Sequence, residues 1–179
     1  MGGPAVPATP HLILGGAKSG KSAYAEDLVT QLPPPYIYIA TAEILDEEMK
    51  ERVLRHLERR GEAWETVECP LDLGEALLSL SGAGRPVLVD CITLWLSNLF
   101  CSASAPGVER KVDELCAVIA DVEYPVFVVS NEVGGGIVPE NPLARRFRDA
   151  AGAANQKLAK VCRSVTLVAA GLPITLKRP

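Results

Sequence analysis

The stretch Gly15-Gly16-Ala17-Lys18-Ser19-Gly20-Lys21-Ser22 constrains this chain most. It satisfies G-x-x-x-x-G-K-[ST] in full, the pattern of a phosphate-binding loop between a strand and a helix. Its glycines let the backbone curl so that N–H groups converge on phosphate oxygens, and the following helix adds its positive end. In that arrangement Lys21 reaches the β- and γ-phosphates and the Ser22 hydroxyl ligates Mg²⁺. The pattern therefore predicts a nucleoside triphosphate site.

The surroundings suit such a loop. Short apolar runs at residues 11–14, 36–40, 86–89, 126–130 and 165–169 lack polar alternation, as strands covered on both faces do. Segments with helical spacing lie between them, at 21–31, 46–60, 71–81, 108–122 and 142–161. This alternation predicts a doubly wound α/β domain, a mostly parallel sheet with helices on both faces. A last short strand is expected over 173–176, and loops over 82–85 and 102–107. With 179 residues, 48% hydrophobic and 22% charged, one catalytic domain over 11–179 is expected after a flexible leader of Gly, Pro and Ala over 1–10. Pro33-Pro34-Pro35 ends the first helix before the second strand.

The net charge is −4, which gives no basic field for nucleic acid or an anionic membrane. No apolar run approaches the ~20 residues of a membrane helix, and no signal peptide is recognisable, so a cytoplasmic location is expected. Cys69, Cys91, Cys101, Cys116 and Cys162 form no CxxC pair and are expected to be reduced and mostly buried.

The residues just past each strand outline a site. The strands run into Gly15-Gly16, Thr41, Asp90, Asn131-Glu132 and Gly171, and open α/β sheets bind ligands beyond their carboxyl ends. Asp90 closes Val87-Leu88-Val89, the Walker-B arrangement that brings a carboxylate to the loop's Mg²⁺; Ser22 and Asp90 are thus the candidate metal ligands. His56, on its expected helix, shares a face with Arg52, Val53, Arg59 and Arg60. Positive neighbours favour the neutral, nucleophilic imidazole, and a His attacking an α-phosphate would form a phosphoramidate. Spacing alone favours a solvated basic face with an incidental His. His11 has no such company and reads as structural. Residues 131–142 form a glycine-rich loop suited to close ligand approach, and Arg145, Arg146 and Arg148 follow on the next helix.

Together these stretches resemble the bifunctional adenosylcobinamide kinase / adenosylcobinamide-phosphate guanylyltransferases of cobalamin biosynthesis. The marks are GGAKSGKS at 15–22, YIYIATAEILDEEMKERVLRH at 36–56, and RRGEAWETVECP at 59–70. They continue in VLVDCITLWLSNL at 87–99, SNEVGGGIVPENPLARRFRDAAG at 130–152 and AGLPITLK at 170–177. The loop is shared by thousands of proteins; the stretches around Asp90 and 132–148 are more specific. Lys18 stands where the family often has Arg, and Ala153 also replaces a frequent Arg.

The resemblance implies two reactions: NTP phosphorylates the aminopropanol hydroxyl of adenosylcobinamide, and then GMP passes from GTP through a guanylyl-histidine to adenosylcobinamide phosphate, giving adenosylcobinamide-GDP. It implies His56 and Lys21 as catalytic residues. It places nucleotide contacts at Gly15 through Ser22, Ala40, Thr41, Ala42, Leu57, Glu58, Arg59, Arg60, Glu68 and Asp90. It further implies a RecA-like P-loop fold, Mg²⁺ with GTP and ATP, and a homo-oligomer, often a trimer. Candidate corrinoid contacts are Gly134–Gly136 and the Trp95 region. The competing readings are a P-loop kinase of another small molecule and a GTP-binding switch; the lack of an [NT]KxD guanine motif counts against the switch.

Overall fold

The computed structural model describes residues 8–43, 61–102 and 107–179. Its seven strands are β1 (His11–Gly15), β2 (Tyr36–Ala40), β3 (Trp64–Glu68), β4 (Val87–Asp90), β5 (Val126–Asn131), β6 (Ser164–Ala169) and β7 (Leu172–Lys177). The described helices are α1 (Lys21–Val29), α2 (Leu73–Ser79), α3 (Ile92–Cys101), α4 (Val108–Asp121) and α5 (Pro142–Val161). The strands form one sheet in the order β3-β2-β4-β5-β1-β6-β7. Every pairing is parallel except β6 with β7, an antiparallel hairpin turned by Ala170 and Gly171. This is the expected doubly wound architecture.

Alternate strand residues divide between two cores, because side chains leave a strand on opposite faces with a period of two. Leu12, Ile37, Ile39, Val87, Val89, Val126 and Val128 meet residues of α2, α3, α4 and α5 on one face. Ile13, Tyr36, Tyr38, Leu88, Phe127 and Val129 meet Ala25, Leu28 and Val29 of α1 on the other. Both faces are dry, so the strands read as continuous apolar runs.

Two elements are additional to those expected. Strand β3 reads WETVE, with Glu65, Thr66 and Glu68 exposed at the sheet's edge. Its Trp64 ring lies 4.9 Å from Tyr36 and covers that margin. Helix α3 follows Asp90 after a single residue, and Ile92, Trp95, Leu96 and Leu99 are buried at helical spacing. The expected helix over 46–60 lies outside the described residues, as do 103–106 of the expected 102–107 loop and 1–7 of the leader. Pro10 is tied down: its carbonyl accepts from the backbone N–H of Arg163 (2.8 Å) and Ser164 (3.3 Å). Of the five cysteines only Cys101 is exposed, and all are free.

His11 is structural, as expected. It is buried, its Nε2 lies 2.9 Å from Thr166 Oγ1, and burial lowers its pKa to about 4. The unfolded chain binds this proton near pH 6.5 and the folded one only near pH 4, so stability falls as pH drops through that window. Between pH 7.5 and pH 5 the loss from this residue should be about 2 kcal/mol. Urea unfolding of the wild type and of His11→Gln checks it: the variant should lack that part of the pH dependence.

Candidate functional site

The carboxyl ends of the parallel strands lie along one edge of the sheet, and the phosphate loop sits in the middle of it. Gly15 ends β1, flanked by β5 and β6. A side chain at Gly15 would strike Ser19 Oγ and come within 2.6 Å of the Val168 carbonyl oxygen, so the β1–β6 seam admits no Cβ there. Lys18 and Gly20 adopt left-handed backbone with φ of 55° and 93°. Alternation of this kind points successive N–H groups into a common concavity. Gly171, in the β6–β7 turn, donates its N–H to the Ser19 carbonyl at 2.8 Å, and its Cα lies 3.3 Å from where a Cβ on Gly20 would stand. The hairpin thus braces the loop from outside. Lys21 opens α1 and is largely buried, its Nζ donating to Gly16 O at 3.2 Å. Ser22 lies in the same first turn.

Three further sequence candidates stand side by side. Ala40 pairs in register with Glu68 on one flank and with Asp90 on the other. Asp90 Oδ2 accepts from the Tyr38 hydroxyl at 3.2 Å. Ala42 follows, half-buried, in the loop after β2. The structure therefore brings together Gly15 through Ser22, Ala40, Thr41, Ala42, Glu68 and Asp90 along one edge. His56, Leu57, Glu58, Arg59 and Arg60 lie outside the described residues.

Thr41 is fully buried, and its hydroxyl is spent on the main chain. It accepts from Cys91 N–H and donates to Cys91 C=O, both at 2.7 Å, which fixes the backbone just after Asp90. Asn98 of α3 donates to the Thr41 carbonyl at 2.7 Å and to that of Pro70 at 3.0 Å, locking β2, β3 and β4 together beyond their ends. Burial first, and the Asp90 charge second, push the Cys91 thiol up to about 12, so this sulfur beside the site stays protonated and is no nucleophile.

The glycine loop after β5 faces the outer side of the phosphate loop. Gly16, Lys18, Ser19, Glu132, Val133, Gly135, Gly136, Leu167 and Val168 are among the residues lining a cavity of about 430 Å³ between them. Glu132 Oε1 accepts from Gly134 N–H at 2.6 Å. Asn141 caps α5 by accepting from the N–H groups of Leu143 and Ala144, with Pro142 in the first turn. Trp95 does not fit the corrinoid contact expected of it: its ring is buried and its Nε1 donates to Leu71 O at 2.7 Å. A cavity of about 510 Å³ lies on the far side, between the ends of α2 and α4 and the start of β5. It lacks the phosphate loop and every candidate residue, so it is not where nucleotide chemistry is built.

Comparison with known proteins decides the family. The description of cobinamide kinase / cobinamide phosphate guanyltransferases, CobU, matches residues 11–176. The chain belongs to the CobU family. It is 43% identical over 166 residues to the bifunctional adenosylcobalamin biosynthesis protein CobP of Pseudomonas aeruginosa, covering 93% of this chain and 96% of that one. It is 38% identical to the bifunctional adenosylcobalamin biosynthesis protein CobU of Salmonella typhimurium, covering 93% and 98%. Among solved structures it resembles the RadB recombinase, with a TM-score of 0.52 and 16% identity over 88% of this chain and 72% of that one. At that identity the likeness speaks for the fold alone, and it agrees with the RecA-like P-loop architecture.

The Thr41 bridge can be tested directly. Thr41→Val keeps the shape but leaves the Cys91 N–H and C=O without these partners, and should lower unfolding free energy by about 2 kcal/mol. Thr41→Ser keeps both bonds and should lose about 1 kcal/mol, for the buried methyl alone. Urea titration of the three proteins checks the order.

Proposed function

We propose that this chain carries out both reactions of its family: it phosphorylates adenosylcobinamide, and it then transfers GMP from GTP to the product. The observation that carries the reading is the braced phosphate loop sharing one sheet edge with Asp90, Ala40 and Glu68, in a chain of the CobU family. In the kinase step the substrate hydroxyl oxygen bonds to the γ-phosphorus and the bond to the β,γ-bridging oxygen breaks. Lys21, now turned onto Gly16 O, swings to the β- and γ-phosphates when nucleotide enters.

In the transferase step an imidazole nitrogen of His56 bonds to the α-phosphorus and pyrophosphate leaves. An oxygen of adenosylcobinamide phosphate then displaces the histidine, giving adenosylcobinamide-GDP. Leu57, Glu58, Arg59 and Arg60 belong with the nucleotide contacts in this reading, beside Ala40, Thr41, Ala42 and Glu68. Thr41 contributes through main-chain position, since its hydroxyl is already engaged.

The donor set suits Mg²⁺. The Ser22 hydroxyl and the Asp90 carboxylate are hard oxygen ligands, and among the described residues no group of three His, Cys, Asp or Glu forms a metal cage. A cation held by one or two protein oxygens and completed by phosphates and water is the habit of Mg²⁺. When bound it neutralises charge developing between the β- and γ-phosphates.

We further read the protein as a cytoplasmic homo-oligomer, in line with the trimer of the family resemblance. Among the described residues no helix is long and apolar enough to cross a membrane. Edge strand β7 exposes Leu172, Ile174 and Leu176, and Ile137, Val138 and Leu143 are exposed as well. An open edge with apolar side chains is a surface that a partner chain covers in stable proteins.

Incubation with Mg²⁺ and α-³²P-GTP, followed by denaturing electrophoresis, tests the transferase. Wild-type protein should retain acid-labile label and His56→Ala should retain none. Folded, GTP-binding wild type without label would remove His56 as nucleophile and leave a kinase.

A further inference from the structure

Strand β5 runs between β4 and β1. On one side β4 ends on Asp90, level with Val129; on the other β1 opens into the loop, with Gly15 level with Asn131. Asn131 therefore closes the strand that separates the candidate metal carboxylate from the phosphate loop, and it reaches two residues beyond the Asp90 level.

The fold holds the Asn131 backbone firmly. Its N–H donates to Thr93 Oγ1 at 2.7 Å, and its carbonyl accepts from Asn155 Nδ2 at 3.1 Å. Asn155 Oδ1 in turn accepts from the Ser130 hydroxyl at 2.7 Å. The next residue, Glu132, donates its N–H to Gly15 O at 3.0 Å. Thr93, Ser130 and Asn155 are all buried, so the network is shielded from water. The Asn131 side chain contrasts with this: its Oδ1 is buried and has no hydrogen-bond partner among the described residues. Native folds rarely leave such an atom unpaired unless something else completes it.

We propose that Asn131 is a catalytic residue of the kinase step, meeting the γ-phosphate end of the bound triphosphate and the hydroxyl that attacks it. This rests on the kinase reading above. The carboxamide has a donor and an acceptor and carries no charge, so it can face both groups at once. On nucleotide entry the unpartnered carboxamide turns from its buried resting position toward the site, so that Nδ2 donates to a γ-phosphoryl oxygen and Oδ1 accepts the hydrogen bond of the incoming hydroxyl. The hydroxyl oxygen bonds to the γ-phosphorus, the bond to the β,γ-bridging oxygen breaks, and the nucleoside diphosphate leaves. The hydroxyl proton passes to solvent; Asn131 neither gains nor loses one. Its work is orientation, the main lever a protein has on phosphoryl transfer.

Asn131→Asp tests the placement by binding alone. The change keeps the size of the side chain and puts a negative charge where the γ-phosphate should lie. Titration calorimetry with Mg²⁺, GDP and the slowly hydrolysed analogue guanosine 5′-(β,γ-imido)triphosphate should show the triphosphate weakened at least tenfold more than the diphosphate. A purely structural role would weaken both alike, and equal weakening overturns the inference. Asn131→Ala should lower the kcat of adenosylcobinamide phosphorylation at least a hundredfold with GDP affinity within threefold of wild type; a kcat within threefold of wild type also overturns it. Should the alanine variant not fold, the Asp comparison decides. Wild type that binds no nucleotide would sink the kinase reading and this inference together, whereas nucleotide-binding wild type with an unchanged selectivity ratio in Asn131→Asp would sink this inference alone.

Discussion

A phosphate cradle built from main-chain N–H groups works only if the backbone that presents them stays put, and much of this structure holds one such curl in place. The loop after β1 has three restraints. Gly15 fits a seam with no room for a Cβ, Lys18 and Gly20 supply left-handed turns, and the Gly171 N–H ties the Ser19 carbonyl to the β6–β7 hairpin. The hairpin's antiparallel strand thus does more than end the sheet. It sets the tight turn of Ala170 and Gly171 against the loop from outside, where an open parallel edge would leave it unsupported.

The same economy of main-chain bonding extends along the sheet edge. Thr41 and Asn98 stitch the chain beyond β2 to the segments after β3 and β4, so the Asp90 carboxylate leaves a backbone that cannot drift. Thr93, Ser130 and Asn155 do the same for the end of β5. The Thr41 hydroxyl, at a position the family resemblance places among the nucleotide contacts, is engaged by the Cys91 main chain. In the proposed reactions the groups that meet substrate are the loop amides, Lys21, Ser22, Asp90 and the ends of neighbouring strands. Preorganisation of this kind is what a phosphoryl-transfer site needs from its protein, since positioning and fixed electrostatics supply most of the rate.

How far the sequence foretells this differs by element. The five apolar runs mark parallel strands because burial on both faces removes polar alternation, and the 142–161 helix is delimited by its own Asn141 cap and Pro142. The phosphate loop is legible because its chemistry depends on glycine at fixed spacing. Strand β3 is hidden because an edge strand keeps polar side chains on its open margin, and WETVE has no apolar run to betray it. Helix α3 carries a detectable signal, the spacing of Ile92, Trp95, Leu96 and Leu99, but follows so closely on Asp90 that it merges with the preceding apolar strand. The engagement of Thr41 and the burial of Trp95 depend on contacts 50 and 24 residues away, which local pattern does not encode. The bare Oδ1 of Asn131 is likewise a matter of tertiary geometry.

The central claim is that one phosphate cradle serves both phosphoryl and guanylyl transfer. Mass spectrometry of corrinoid products formed by wild type and by Lys21→Ala tests it most directly, with adenosylcobinamide or adenosylcobinamide phosphate supplied in separate reactions with Mg²⁺, ATP and GTP. A shared cradle predicts that wild type converts the first to the phosphate and then to the GDP derivative, while Lys21→Ala fails from either starting point. Formation of adenosylcobinamide-GDP from the supplied phosphate at the wild-type rate by Lys21→Ala would contradict the claim and require a second nucleotide site.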